Sequence, residues 1–139
     1  MKQLILLATL LTFSNSYAEN FLTESQADTV LESIDNICGD TWCEGDFNFS
    51  FNEITCSSET NSCDLSFEFI NEVYDYETDQ VIVEERASVT CTLTGVTGYE
   101  YMIDTSSRWN HLGHSFYEKV TDCISDKEEI AYDTFTMDY

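Results

Sequence analysis

The sequence contains no proline, five glycines and five lysines and arginines in all. Without proline there is no rigid polyproline spacer, and no Gly/Ser-rich stretch offers a flexible one, so the length of 139 residues reads as one domain without linkers. The few bases stand against 27 acids, a formal net charge of −22. Such a surface repels phosphate backbones and anionic headgroups, which argues against nucleic-acid binding and electrostatic membrane docking. No Gly-x-Ser-x-Gly elbow and no glycine-rich phosphate loop are present. No cofactor is expected. The chain is still too rich in apolar and aromatic residues, at 42% and 14%, to be a disordered acidic tail.

The N-terminus reads as a secretory signal peptide. Met1-Lys2-Gln3 is a basic start, Leu4 to Phe13 is apolar, and Ser16 and Ala18 are the small residues of a cleavage site. The apolar run is about half the length of a bilayer-spanning helix. No cysteine follows it to take a lipid, and no later segment is long and apolar enough for stable membrane insertion. Residues 1–18 are therefore expected to leave, and 19–139 to form a single disulfide-stabilised domain, secreted or periplasmic. Loss of Lys2 leaves 27 acids against 4 bases, a net charge of −23. The acids are spread along the whole chain, as on a solvated surface; the partner they favour is a cationic protein or ligand.

Six cysteines, all beyond the signal, suit three disulfides in an oxidising compartment. The patterning proposes how they pair. Thr23 and Gln26 form a capping box for a first helix, with Ala27, Val30, Leu31, Ile34 and Ile37 on one face and Cys38-Gly39 at its end. Phe47, Phe49 and Phe51 alternate as a strand, but Ile54 and Cys56 are out of phase, so a β-bulge is expected near Asn52-Glu53. Cys63, Leu65, Phe67 and Phe69 alternate again after a turn at Ser57 to Ser62. In that hairpin Cys56 faces Cys63, Phe51 faces Phe67 and Phe49 faces Phe69.

After a second turn at Tyr76 to Gln80, Val81, Val83, Ala87, Val89, Cys91 and Leu93 share a face. The register that gathers the apolar set pairs Val73 with Val83, Phe67 with Val89 and Leu65 with Cys91. The other face, with Asp64, Ser66, Glu68, Glu84, Arg86, Ser88, Thr90 and Thr92, is polar, so one side of the sheet is covered. Tyr99, Tyr101 and Ile103 alternate as a fourth strand. A last helix, capped at Asp104, Thr105 or Ser106 or restarting at Ser115 with Glu118 as its box partner, carries Trp109, Leu112, Phe116, Val120, Cys123 and Ile124 on one side. Ile130 to Tyr139 alternates weakly, as an edge strand or a fraying end. The expected fold is α+β: a two-layer sandwich of a four-stranded antiparallel meander with an N-terminal and a C-terminal helix on one face. Its bridges are Cys38–Cys43, Cys56–Cys63 and Cys91–Cys123.

Three groups carry possible chemistry. His111 and His114, one helical turn apart with Glu118 beyond, approach a zinc arrangement but lack the spacing of His-Glu-x-x-His proteases. Asp75, Glu77 and Asp79 lie in a turn without the glycine and glutamate of a calcium loop. The loop Asp40 to Asp46 holds Trp42 inside the Cys38–Cys43 ring, with Asp40, Glu44 and Asp46 around it, where a constrained aromatic could anchor a partner. Asn48-Phe49-Ser50 matches a glycosylation sequon inside a strand. The sequence thus points to a secreted or periplasmic, non-catalytic acidic binding module. The alternative is a small secreted hydrolase or metal-dependent enzyme using His111 and His114.

Overall fold

A computed structural model describes residues 20–40, 47–106 and 111–135. The signal segment, Trp42, Cys43, Glu44, Asp46, Trp109 and the side chains of Asp40 and Val83 lie outside the described residues. The fold is α+β. Helix α1 (Glu24–Asp40) leads into strands β1 (Asn48–Ser57), β2 (Ser62–Asp75) and β3 (Gln80–Thr94). One helical turn α2 (Tyr99–Met102) follows, then two-residue strands β4 (Ile103–Asp104) and β5 (His111–Leu112) and the long helix α3 (His114–Thr134).

The first helix starts where the capping box places it. The Thr23 amide donates to Gln26 Oε1 at 3.0 Å and the Gln26 amide donates to Thr23 Oγ1 at 3.1 Å, so two orphan donors are satisfied reciprocally. The helix runs through Asp40, one residue past Gly39. It buries Val30, Ile34 and Cys38 and packs against β1.

β1, β2 and β3 form an antiparallel meander in that order. Phe49 opposes Phe69, Phe51 opposes Phe67, and the register shifts between Phe51 and Glu53 before Cys56 meets Cys63. The bulge returns Ile54 and Cys56 to the buried side, where both are under 4% exposed. β2 and β3 pair Phe67 with Val89, Leu65 with Cys91 and Val73 with Val83. Both hairpin loops end in a non-glycine residue of left-handed conformation, Asn61 at φ 48° and Asp79 at φ 60°. Asn and Asp tolerate that region better than most side chains, so the tight turns need no glycine.

Among the described residues the sheet has three strands, not four. Tyr99, Met102 and Ile103 stand at i, i+3 and i+4, and this spacing wins over the alternation of Tyr99, Tyr101 and Ile103. The segment coils once as α2 and buries Met102 and Ile103. Asp104 continues a two-residue strand opposite His111, with Ile103 opposite Leu112. Leu112 is thus on β5 rather than on the last helix. That helix starts at His114, and no side chain caps it, so the Ser115–Glu118 box does not form. It then continues to Thr134, through residues expected to form an edge strand or fray. Phe116, Val120, Ile124 and Ala131 are its buried residues, and Phe135 just beyond it is also buried.

Gly113 joins β5 to α3. Its φ of −58° suits any residue. The requirement is space: a Cβ there would lie 2.4 Å from the Tyr101 carbonyl oxygen, while the Gly113 amide donates to the Met102 carbonyl at 2.8 Å. Gly113→Ala must push two backbones apart and is expected to lower stability by about 1–3 kcal/mol. Urea denaturation checks this; an unchanged midpoint would mean that the β4–β5 corner yields freely.

One core cluster unites Val30 and Ile34 of α1, Leu65, Phe67 and Phe69 of β2, Val89, Cys91 and Leu93 of β3, and Phe116, Val120 and Ile124 of α3. Phe67 lies 5.5 Å from Phe51 and 5.3 Å from Phe69, ring centre to ring centre, within the range of favourable aromatic pairs. Disulfides join Cys56 to Cys63 and Cys91 to Cys123. The second ties α3 to the inner side of β3. Cys38 is also disulfide-bonded; Cys43, its expected partner, lies outside the described residues.

Candidate functional site

The histidines do not share a helix. His111 is on β5 opposite Asp104, and His114 opens α3, with Gly113 between the two elements. The expectation of a helical His-x-x-His face is therefore corrected: the extended β5–Gly113 corner breaks the spacing that would align them. His114 Nε2 stands 3.2 Å from Glu118 Oε1, but their side chains are 83% and 62% exposed, so water competes for both. Among the described residues no three of His, Cys, Asp and Glu converge as metal ligands. The Trp42 loop lies outside the described residues.

A groove of about 430 Å³ lies at the mouth of the β1–β2 hairpin. Thr55, Ser57, Glu59, Thr60, Ser62 and Asp64 line it. Asp64 Oδ1 accepts from the Thr92 hydroxyl at 2.9 Å, which ties one carboxylate of the groove to the sheet. No helix of the described residues is long and apolar enough to cross a membrane.

The distinctive surface is the far end of β2 and β3. Pairing with β1 ends at Asn48 opposite Ile70, whereas β2 and β3 continue together to Asp75 opposite Gln80. Residues 71–85 thus form an arm projecting past β1. Val81 was expected to join the inner apolar face, but it is 47% exposed; the β2–β3 register shifts between Val73 and Tyr74, so the alternation that placed Val81 with Val83 is broken there. Ile82 is 61% exposed, Tyr74 40% and Tyr76 89%. These are four of the six large apolar residues that the described surface exposes.

The arm tip is ordered by its own polar contacts. The Tyr74 hydroxyl donates to Asp79, and the Tyr74 and Tyr76 rings meet edge-on at 5.2 Å. That hydrogen bond raises the Tyr74 phenol above its ordinary value, since ionisation would set two anions together. Asp75 Oδ1 accepts from the Glu77 amide at 2.9 Å. This bond, followed by one from Thr78, holds the Asp75 carboxyl below the usual range. Glu72, Glu77 and Glu84 add exposed carboxylates. The nearest base in sequence, Arg86, is engaged: its Nη2 lies 2.6 Å from Glu84 Oε1 and its Nη1 lies 3.5 Å from Glu68 Oε2. Glu84 foremost holds this guanidinium protonated above its ordinary value.

The turn expected at Tyr76 to Gln80 is present, but its residue types alone do not reveal the exposed apolar set beside it. The available signal was length. Strands of 14 and 15 residues cannot be covered along their whole length by a neighbour of 10 residues. Comparison of the chain with protein-family models, with curated proteins and with solved structures finds no match.

Proposed function

We propose that the chain is a secreted or periplasmic, non-catalytic binding module, built as a two-layer α+β sandwich, that takes a cationic protein or peptide on the β2–β3 arm. One observation carries the reading: exposed Tyr74, Tyr76, Val81 and Ile82 project past the body of the sheet amid Glu72, Asp75, Glu77, Asp79 and Glu84. Aromatic and branched side chains supply contact area, and the carboxylates select positive charge and steer its approach. Disulfides suit the oxidising compartment that the signal segment implies.

The test is fluorescence anisotropy with a labelled lysine-rich peptide. Affinity should fall steeply as salt rises from about 0.05 M to about 0.5 M, as the Debye length shortens. The double variant Tyr76→Ser, Ile82→Ser keeps every charge and changes only exposed side chains; its affinity should drop about tenfold or more, as expected when central apolar anchors are removed. Unchanged binding by that variant would show that the arm is not the contact surface.

A further inference from the structure

We infer that the outer edge of β3 between Gln80 and Arg86 accepts an extended basic segment as an added β-strand. This deepens the reading above and rests on it. Among the described residues β3 pairs with β2 alone, although it is 15 residues long. The chain after Thr94 turns at Gly95, in a left-handed conformation at φ 73°, and goes into α2 instead of returning along β3. The expected fourth strand would have covered this edge.

The edge is not uniform. At Cys91 the strand is tied to α3 by its disulfide. The Gln80 end lies on the arm, where Val81, Ile82 and Glu84 are exposed. A strand edge offers unpaired amides and carbonyls as a template, and proteins usually blunt it with proline, lysine or a covering element. This stretch has no proline and no lysine; its charges are Glu84, Glu85 and Arg86, and the register shift opposite Val73 and Tyr74 leaves Ile82 as a bulge, so the edge is regular from Val83 onward. Beyond Ile70 the arm has two described strands, a marginal ribbon that a third would strengthen.

Charge selects the occupant. A second copy would bring its own glutamates and a net charge of −22 against the same edge. Like charges on facing strands repel. A strand carrying lysines or arginines would instead set cations across from exposed Glu84, with backbone hydrogen bonds for affinity and side-chain contacts for selection.

The experiment compares two peptides of about ten residues with alternating lysine and valine, one unmodified and one N-methylated at every amide, which removes the donors of both strand edges. Their charges are identical, and only the first can pair fully along a strand. The full chain should bind the unmodified peptide at least tenfold more tightly. Binding should also slow hydrogen exchange of amides within residues 80–86. Equal affinity for the two would overturn strand addition and leave the cationic-partner reading standing. Binding of neither would overturn both. Self-association at micromolar concentration that protects the same amides without peptide would make a second copy the occupant and overturn the inference.

Discussion

Phe67→Ala should lower stability by about 3–5 kcal/mol, the usual consequence of removing a buried ring and leaving a cavity. Phe67 is 1% exposed and makes ring contacts with Phe49, Phe51 and Phe69. These neighbours come from two paired strands and cannot collapse into the space without disturbing the register. Phe116→Ala, on the buried side of α3, should cost a similar amount.

Glu68 is the control, because the strand period of two turns it to the opposite face. It is not a free solvent side chain: it accepts from Asn52 Nδ2 at 2.9 Å and lies 3.5 Å from Arg86, with 19% of its side chain exposed. Arg86 is 48% exposed and keeps Glu84 as a partner, so water screens the pair and little is stranded by its loss. Glu68→Ala should therefore change stability by less than about 1 kcal/mol. Urea midpoints of the three variants, with the disulfides intact, give the comparison. Equal damage from Glu68→Ala and Phe67→Ala would refute the division of the sheet into a covered and a polar face.

Replacing both Cys91 and Cys123 by alanine should cost roughly 3.7 kcal/mol on the chain-entropy estimate, because the bridge closes a sequence separation of 32. The same relation gives roughly 2.4 kcal/mol for Cys56–Cys63, with a separation of 7. The order of the two losses is the sharper expectation. Thermal unfolding of the two double variants measures it. A smaller effect from the Cys91–Cys123 variant would mean that the unfolded chain is already confined by other contacts between β3 and α3.

The meander was legible because every determinant of it is local and periodic. Phe49, Phe51, Phe67 and Phe69 fix the face, and the phase slip before Ile54 marks the bulge found between Phe51 and Glu53. Pairing of Leu65 with Cys91 follows from the same alternation. The fourth strand failed because five residues with Tyr99, Tyr101, Met102 and Ile103 satisfy both periods, and only packing against the rest of the core decides between them. The end of α3 was hidden by Lys127 and Glu128, which fall between Ile124 and Ala131 and break the apolar stripe. Gly113 carries no sequence signal at all, since its role is a close approach to Tyr101, distant along the chain. The arm was obscure for a related reason. Exposure of Val81 and Ile82 depends on the register shift opposite Val73 and Tyr74 and on where β1 stops, and both involve another segment.

The two described bridges each join cysteines that are neighbours in the cysteine order, Cys56 with Cys63 and Cys91 with Cys123. Cys38 and Cys43 stand next to each other in that order as well. A chain synthesised from its N-terminus presents its thiols one at a time. Once Cys38 is bonded, an oxidant that joins each new thiol to the last free one makes Cys56–Cys63 while β3 is still to come, and then Cys91–Cys123 when α3 arrives. The two described bridges can thereby form without any disulfide being broken and remade. With no proline in the chain, prolyl isomerisation contributes no slow phase to its folding.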